Sequence, residues 1–207
     1  MAEQDILGKI VILNGVPRAG KSSIATAIQN SFDGVWINLG VDRYKAMIPE
    51  RYQPGIGLRP GGEGPHLEPL VQTMFRALYE SIATHSRLGF NVVADTSHHD
   101  NYSKPLGNLT QGARILSGLP VLFVGVRCPI EVVLERRLAT WGKGYEEDGS
   151  IPAPVQRFQR DVHLPGIYDL EVDTSILSPE AAAAKIREAL DNRPSPSAFE
   201  RIAVMTT

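Results

Sequence analysis

A glycine-rich turn near the amino end, Gly15-Val16-Pro17-Arg18-Ala19-Gly20-Lys21-Ser22, constrains this chain more than anything else in it. It follows the apolar run Ile10 to Leu13 and opens a helix-like stretch from Lys21 to Gln29, and the spacing G-x-x-x-x-G-K-S/T carries meaning only in that strand-to-helix context. Glycines let the backbone turn sharply so that successive N–H groups point inward, and the helix adds its positive N-terminal end. The expected result is a cradle for phosphate oxygens running from Gly15 to Ser23. Lys21 is expected to reach the β- and γ-phosphates and the Ser22 hydroxyl to ligate a magnesium ion. The bland alternative is a strand-to-helix turn with no ligand.

Strand-like runs alternate with amphipathic stretches along the rest of the chain. Ile10 to Leu13, Val35 to Leu39, Phe90 to Ala94, Val121 to Val126 and Leu170 to Val172 are short and rich in β-branched residues, as buried parallel strands are. Leu67, Leu70, Val71, Met74, Leu78 and Ile82 fall on one helical face ending near Gly89. Further helix signals run from Pro129 to Ala139 and from Pro179 to Leu190 behind a Ser178 cap. The expected fold is α/β: a three-layer sandwich with a five-stranded parallel sheet, of the phosphate-loop NTPase class. It occupies residues 1–191.

Two segments interrupt the alternation. Pro49 to Pro65 is crowded with proline and glycine and reads as a loop. Thr140 to Pro154 mixes Trp141 and several glycines and prolines with Lys143, Glu146, Glu147 and Asp148, and reads as an exposed lid spanning about residues 140–160. Residues 192–207 read as a tail or an arm toward a partner.

Candidate catalytic groups lie where parallel strands end, the edge at which open α/β sheets bind ligands. Asp42 follows the second strand and can accept or orient the proton of an attacking hydroxyl, or simply cap a helix. Asp95 ends the third strand as an apolar run closed by a carboxylate, suited to ordering magnesium or binding substrate, with a cap again as the alternative. His98 and His99 follow and read as solvated. Arg136 and Arg137 close the helix after the fourth strand, either to place a guanidinium on the transferring phosphate or to pair with Glu131 and Glu135.

Composition removes several classes of function. Lys plus Arg number 21 against 23 Asp plus Glu, for a formal charge of −2, so no global positive field exists to hold long nucleic acid or an anionic membrane. The acidic amino end lacks the pattern of a secretory signal, and the single cysteine, Cys128, suits a reducing compartment, so a cytoplasmic protein is expected. Self-association into a homo-oligomer stays open.

Several blocks together resemble the chloramphenicol phosphotransferases: Ile12-Leu13-Asn14-Gly15, Gly40-Val41-Asp42, Val124-Gly125-Val126-Arg127-Cys128, Val162-His163, and Tyr168-Asp169-Leu170-Glu171-Val172-Asp173-Thr174. The resemblance runs in order from about Lys9 to Leu190. It implies an adenylate-kinase-like enzyme that uses ATP and Mg2+ to phosphorylate a hydroxyl of a small molecule, inactivating an antibiotic. It also implies that Asp42 is the catalytic base, at the acceptor, and that Arg136 contacts phosphate; Lys21 at the phosphates and Asp95 at the substrate are expected from the loop motif and the strand end. Two features depart from the family pattern. Thr96 follows Asp95 where the family has paired acids, and the Pro49 to Pro65 loop is basic, with Arg51 and Arg59. Chloramphenicol, another metabolite or a nucleoside are therefore all open as acceptors, as is a nucleotide-binding regulator without catalysis.

Overall fold

The structure, a computed structural model, describes residues 7–53 and 65–205. Five parallel strands form one sheet in the order β2-β3-β1-β4-β5: β1 Ile10–Asn14, β2 Trp36–Asn38, β3 Asn91–Thr96, β4 Val121–Arg127 and β5 Leu170–Asp173. β1 is central, every residue of it is buried, and Ile10 lies opposite Val92 on one side and Val121 on the other. Side chains alternate across the pleat, so an unbroken apolar strand must be covered on both faces.

One layer receives Val11, Leu13, Leu122 and Val124 from the sheet. It is built by α1 (Lys21–Ser31), α5 (Ile130–Trp141), α6 (Ala153–Asp161) and α7 (Pro179–Asp191). The opposite layer receives Ile10, Ile12, Val121 and Phe123, and is built by α3 (Glu68–Arg87), α4 (Asn108–Ile115) and α8 (Ala198–Ala203). The short α2 (Val41–Lys45) follows β2. Among the described residues no helix is long and apolar enough to cross a membrane.

The five strands and the four longest helices match the sequence reading, with ends shifted by a few residues. Three helices differ from it. The stretch read as a carboxy-terminal tail folds into α8, and Ala198, Phe199 and Ile202 are buried against the sheet. Its start carries a capping box, in which the Ser197 side chain accepts from the Glu200 backbone and Glu200 reaches back to the Ser197 N–H. Asp169 fastens the same end by accepting from the backbone of both Phe123 and Ala198. The expected lid is shorter than its reading: α5 runs on to Trp141 and α6 begins at Ala153, because proline is well tolerated in the first helical turn. Val155 and Phe158 of α6 are core residues, and only the connection between the two helices is an irregular, largely exposed segment. In α4, Gly112 weakens the sequence signal, but a β-carbon there would come within 2.3 Å of the Tyr79 ring. Most of the Pro49 to Pro65 loop, Arg59 included, lies outside the described residues, and its first part forms a short 3-10 turn at Glu50–Tyr52.

Candidate active site

The glycine-rich turn leaves β1 at Asn14 and closes onto α1 at Gly20, whose φ of 90° explains the glycine there. Lys21 is buried, and its Nζ donates to the carbonyls of Gly15 and Val16, each at 2.8 Å. Burial lowers its pKa to about 8, and the nearby charges of Asp95 and Asp42 partly restore it. The Ser22 hydroxyl donates to Asp95 Oδ2 at 2.8 Å, and Ser97 Oγ donates to the Gly15 carbonyl at 2.7 Å. The turn is thus tied to the carboxyl end of β3, as the parallel register of β1 and β3 requires.

Asp42 stands in the first turn of α2, exposed, with Gly40 in the capping position, so it does not act as the helix cap. A side chain at Gly40 would displace Asp95. A β-carbon there would lie 1.6 Å from Asp95 Oδ1, so β2 delivers Asp42 to the site only by letting its backbone graze the β3 carboxylate.

Arg136 reaches the turn from α5. Its Nη1 donates to the carbonyl of Arg18 and to Thr174 Oγ1, and its Nη2 donates to the Thr174 carbonyl at 2.7 Å. It makes no ion pair with Glu131 or Glu135 among the described residues. Its neighbour Arg137 points elsewhere, against the Trp141 ring.

Asn14, fully buried, organises the floor behind the turn. Its amide donates to the Val162 carbonyl and to the Tyr168 hydroxyl, while its oxygen accepts from the His98 backbone at 2.8 Å. His163 completes this network through its Nδ1 and the Tyr168 hydroxyl, and burial lowers its pKa to about 4.

The two histidines read as solvated are buried. His98 Nε2 lies 2.6 Å from the Tyr79 hydroxyl, with the ring against Phe75, and burial followed by its neighbour His99 lowers its pKa to about 3. His99 stacks on Tyr102 and meets the edge of Phe158. A pair of adjacent polar residues carries no sequence signal for burial. Here the β3–α4 connection is folded under α3 and α6, which hides both rings.

These groups share one cleft of about 660 Å³. Lys21, Ser22, Asp42 and Asp95 line it together. Arg136, Trp141, Thr174, Leu177 and Pro179 line one region, and Val71, Phe75, Leu78, His99, Tyr102 and Phe158 form a largely apolar, aromatic wall. Of the residues singled out from the sequence, the structure brings Pro17, Arg18, Gly20, Lys21, Ser22, Ser23, Asp42, Asp95 and Arg136 to this cleft, while Gly15, Val16 and Ala19 are not among the residues that line it. The aromatic wall had gone unread, because its members come from three elements distant in sequence.

A family model described as chloramphenicol phosphotransferase-like protein matches residues 8–191. The chain belongs to that family. Two Mycobacterium tuberculosis proteins, from strains CDC 1551 / Oshkosh and H37Rv and carrying the provisional name O-phosphotransferase, are each 26% identical to it over 209 residues, covering 94% of this chain and 88% of theirs. Among solved structures, the M. tuberculosis APS kinase in complex with AMPPNP and APS superposes with a TM-score of 0.60 at 16% identity, over 89% of this chain and 98% of that one. Shikimate kinase from Acinetobacter baumannii, solved with shikimate, gives 0.56 at 13% identity, over 90% and 95%. The fold is that of the phosphate-loop kinases. This chloramphenicol phosphotransferase-like chain is accordingly a kinase, an ATP-dependent phosphotransferase, and α8 lies beyond the segment the family model matches.

Proposed function

We propose that this kinase transfers the γ-phosphate of ATP to a hydroxyl of a small molecule with an apolar or aromatic body, and that chloramphenicol-like antibiotics are the first class of acceptor to test. One observation carries the reading: a single cleft joins a phosphate cradle, two carboxylates and an aromatic wall, so donor phosphate, base and acceptor body can meet in one space.

Asp42, exposed to the cleft beside Lys21, accepts the acceptor's hydroxyl proton as the oxygen bonds to the γ-phosphorus and the bridge to the β-phosphate breaks. Lys21 and Arg136 offset the charge on the phosphate oxygens. Magnesium favours hard oxygen ligands, and the Ser22 hydroxyl and Asp95 carboxylate, already paired, are donors of that kind. They would hold the ion, whose charge would offset that of the terminal phosphates. The segment between α5 and α6 is carried by two helices that line the cleft through Trp141 and Phe158, and it serves as the lid, excluding water so that the γ-phosphate goes to the acceptor rather than to hydrolysis.

The test is incubation with Mg-ATP and a panel of amphenicols, nucleosides, sugars and aromatic alcohols, with mass spectrometry for a gain of one phosphoryl group. A phosphorylated product from a compound with an aromatic or apolar body, with little ATP hydrolysis in its absence, is expected. Transfer confined to sugars or highly polar acceptors would overturn the assignment of the aromatic wall.

A further inference from the structure

Arg18, in the middle of the phosphate loop, combines three features that its neighbours do not share. It is the only non-glycine residue among those described with a positive φ, 70°, a conformation that costs an L-residue free energy and persists where the surrounding structure imposes it. Its guanidinium lies 4.0 Å from the centre of the Trp141 ring at the end of α5, a cation–π contact. Among the described residues its side chain makes no hydrogen bond and no ion pair, although it faces the cleft.

The same indole carries a second guanidinium. Arg137 lies 4.9 Å from the Trp141 ring centre, is only 9% exposed, and its buried Nε has no hydrogen-bond partner. Burial and then the charge of Arg18 lower the Arg137 pKa. The charge of Glu146 partly offsets this, but its ion pair, at 2.9 Å, is with Lys143. Two cations on one ring, neither with an ion pair among the described residues, form an arrangement that an anion completes.

We propose that Arg18 binds the terminal phosphoryl group of the bound nucleoside triphosphate, with Trp141 and Arg137 as positioning residues that hold its guanidinium over the cleft. This rests on the nucleotide reading of the phosphate loop and goes beyond it. The loop backbone and Lys21 grip phosphates in any nucleotide that has them. Arg18 stands on the rim and meets the group that projects furthest into the cleft, so it distinguishes triphosphate from diphosphate. Arg136 also adds its charge to the phosphate site, but its hydrogen bonds to Thr174 and the Arg18 carbonyl fix it against the loop. Because Trp141 is the last residue of α5, the stack also ties the base of the lid to the presence of that phosphate.

The experiment compares calorimetric affinities for Mg-AMPPNP and Mg-ADP in the wild type and in Arg18→Gly, a change that keeps the turn because glycine accepts the positive φ. AMPPNP affinity should fall about tenfold or more while ADP affinity stays within about twofold. Trp141→Leu should show a smaller loss of the same selectivity, and Trp141→Phe should restore most of it. In a Trp36→Phe background, leaving Trp141 as the lone tryptophan, its fluorescence should respond to AMPPNP and barely to ADP. Equal losses for both nucleotides, or no loss, would overturn the proposal while leaving the nucleotide site intact. A wild type that binds neither would overturn the nucleotide reading and this proposal with it.

Discussion

Replacing Gly40 by alanine isolates one contact in the site. Gly40 has φ −56° and ψ 155°, a backbone any residue adopts, so the substitution strains nothing locally. By narrowing the unfolded ensemble it contributes about 0.4–1 kcal/mol of stability. Its β-carbon, however, would stand 1.6 Å from Asp95 Oδ1 and 2.8 Å from Asp95 Cγ. The carboxylate must retreat by roughly 2 Å to reach ordinary contact distance. The Ser22–Asp95 hydrogen bond is then lost, a charge-assisted bond worth about 1.5 kcal/mol in this exposed setting. The two effects nearly cancel, so urea denaturation should register a change of about 1 kcal/mol or less. Function should respond far more, since displacing a group in the reacting constellation by an ångström or so costs about a hundredfold in turnover. Asp95→Ala completes the cycle: in its background Gly40→Ala should add almost nothing to the loss of Mg-AMPPNP affinity. A Gly40→Ala enzyme with wild-type turnover, or a penalty that persists without Asp95, would refute the claim that the glycine exists to admit this carboxylate.

Asp42→Asn should leave Mg-AMPPNP affinity nearly unchanged and lower turnover by about 10²–10⁴, as for loss of a general base; unchanged turnover in a coupled assay would remove Asp42 from the mechanism. Lys21 binds phosphate as a cation, and burial lowers its pKa to about 8 in the free protein, so AMPPNP affinity should weaken as pH rises through that value. Calorimetry across that range checks this, and a flat profile would contradict it. The same lowered pKa means that the folded state binds fewer protons at Lys21 than the unfolded state between about 8 and 10.5, so this group makes stability rise with pH there. Phe199, packed against Tyr79 and Phe123 and 2% exposed, should cost about 3–5 kcal/mol when truncated to alanine. A thermal midpoint unmoved by that change would return the carboxy-terminal segment to the status of a loose tail.

The phosphate cradle, the alternation of strands and helices, and the carboxylates at strand ends are legible in the residues alone. Each depends on local spacing, whether glycines that permit a turn, apolar runs that demand two covered faces, or an acid that closes a strand. The burial of His98 and His99, the docking of α8 and the aromatic wall were not legible. They depend on which elements meet after the chain has crossed over, and polar side chains carry no mark of being buried until a hydroxyl such as that of Tyr79 is placed beside them. Spacing also left Arg136 and Arg137 interchangeable. Only the packed structure separates them, binding one to Thr174 and laying the other on the ring that also holds Arg18. Local sequence determines which chemistry the chain can carry; tertiary packing decides which groups are desolvated, which are satisfied, and which are left facing the space where a ligand binds.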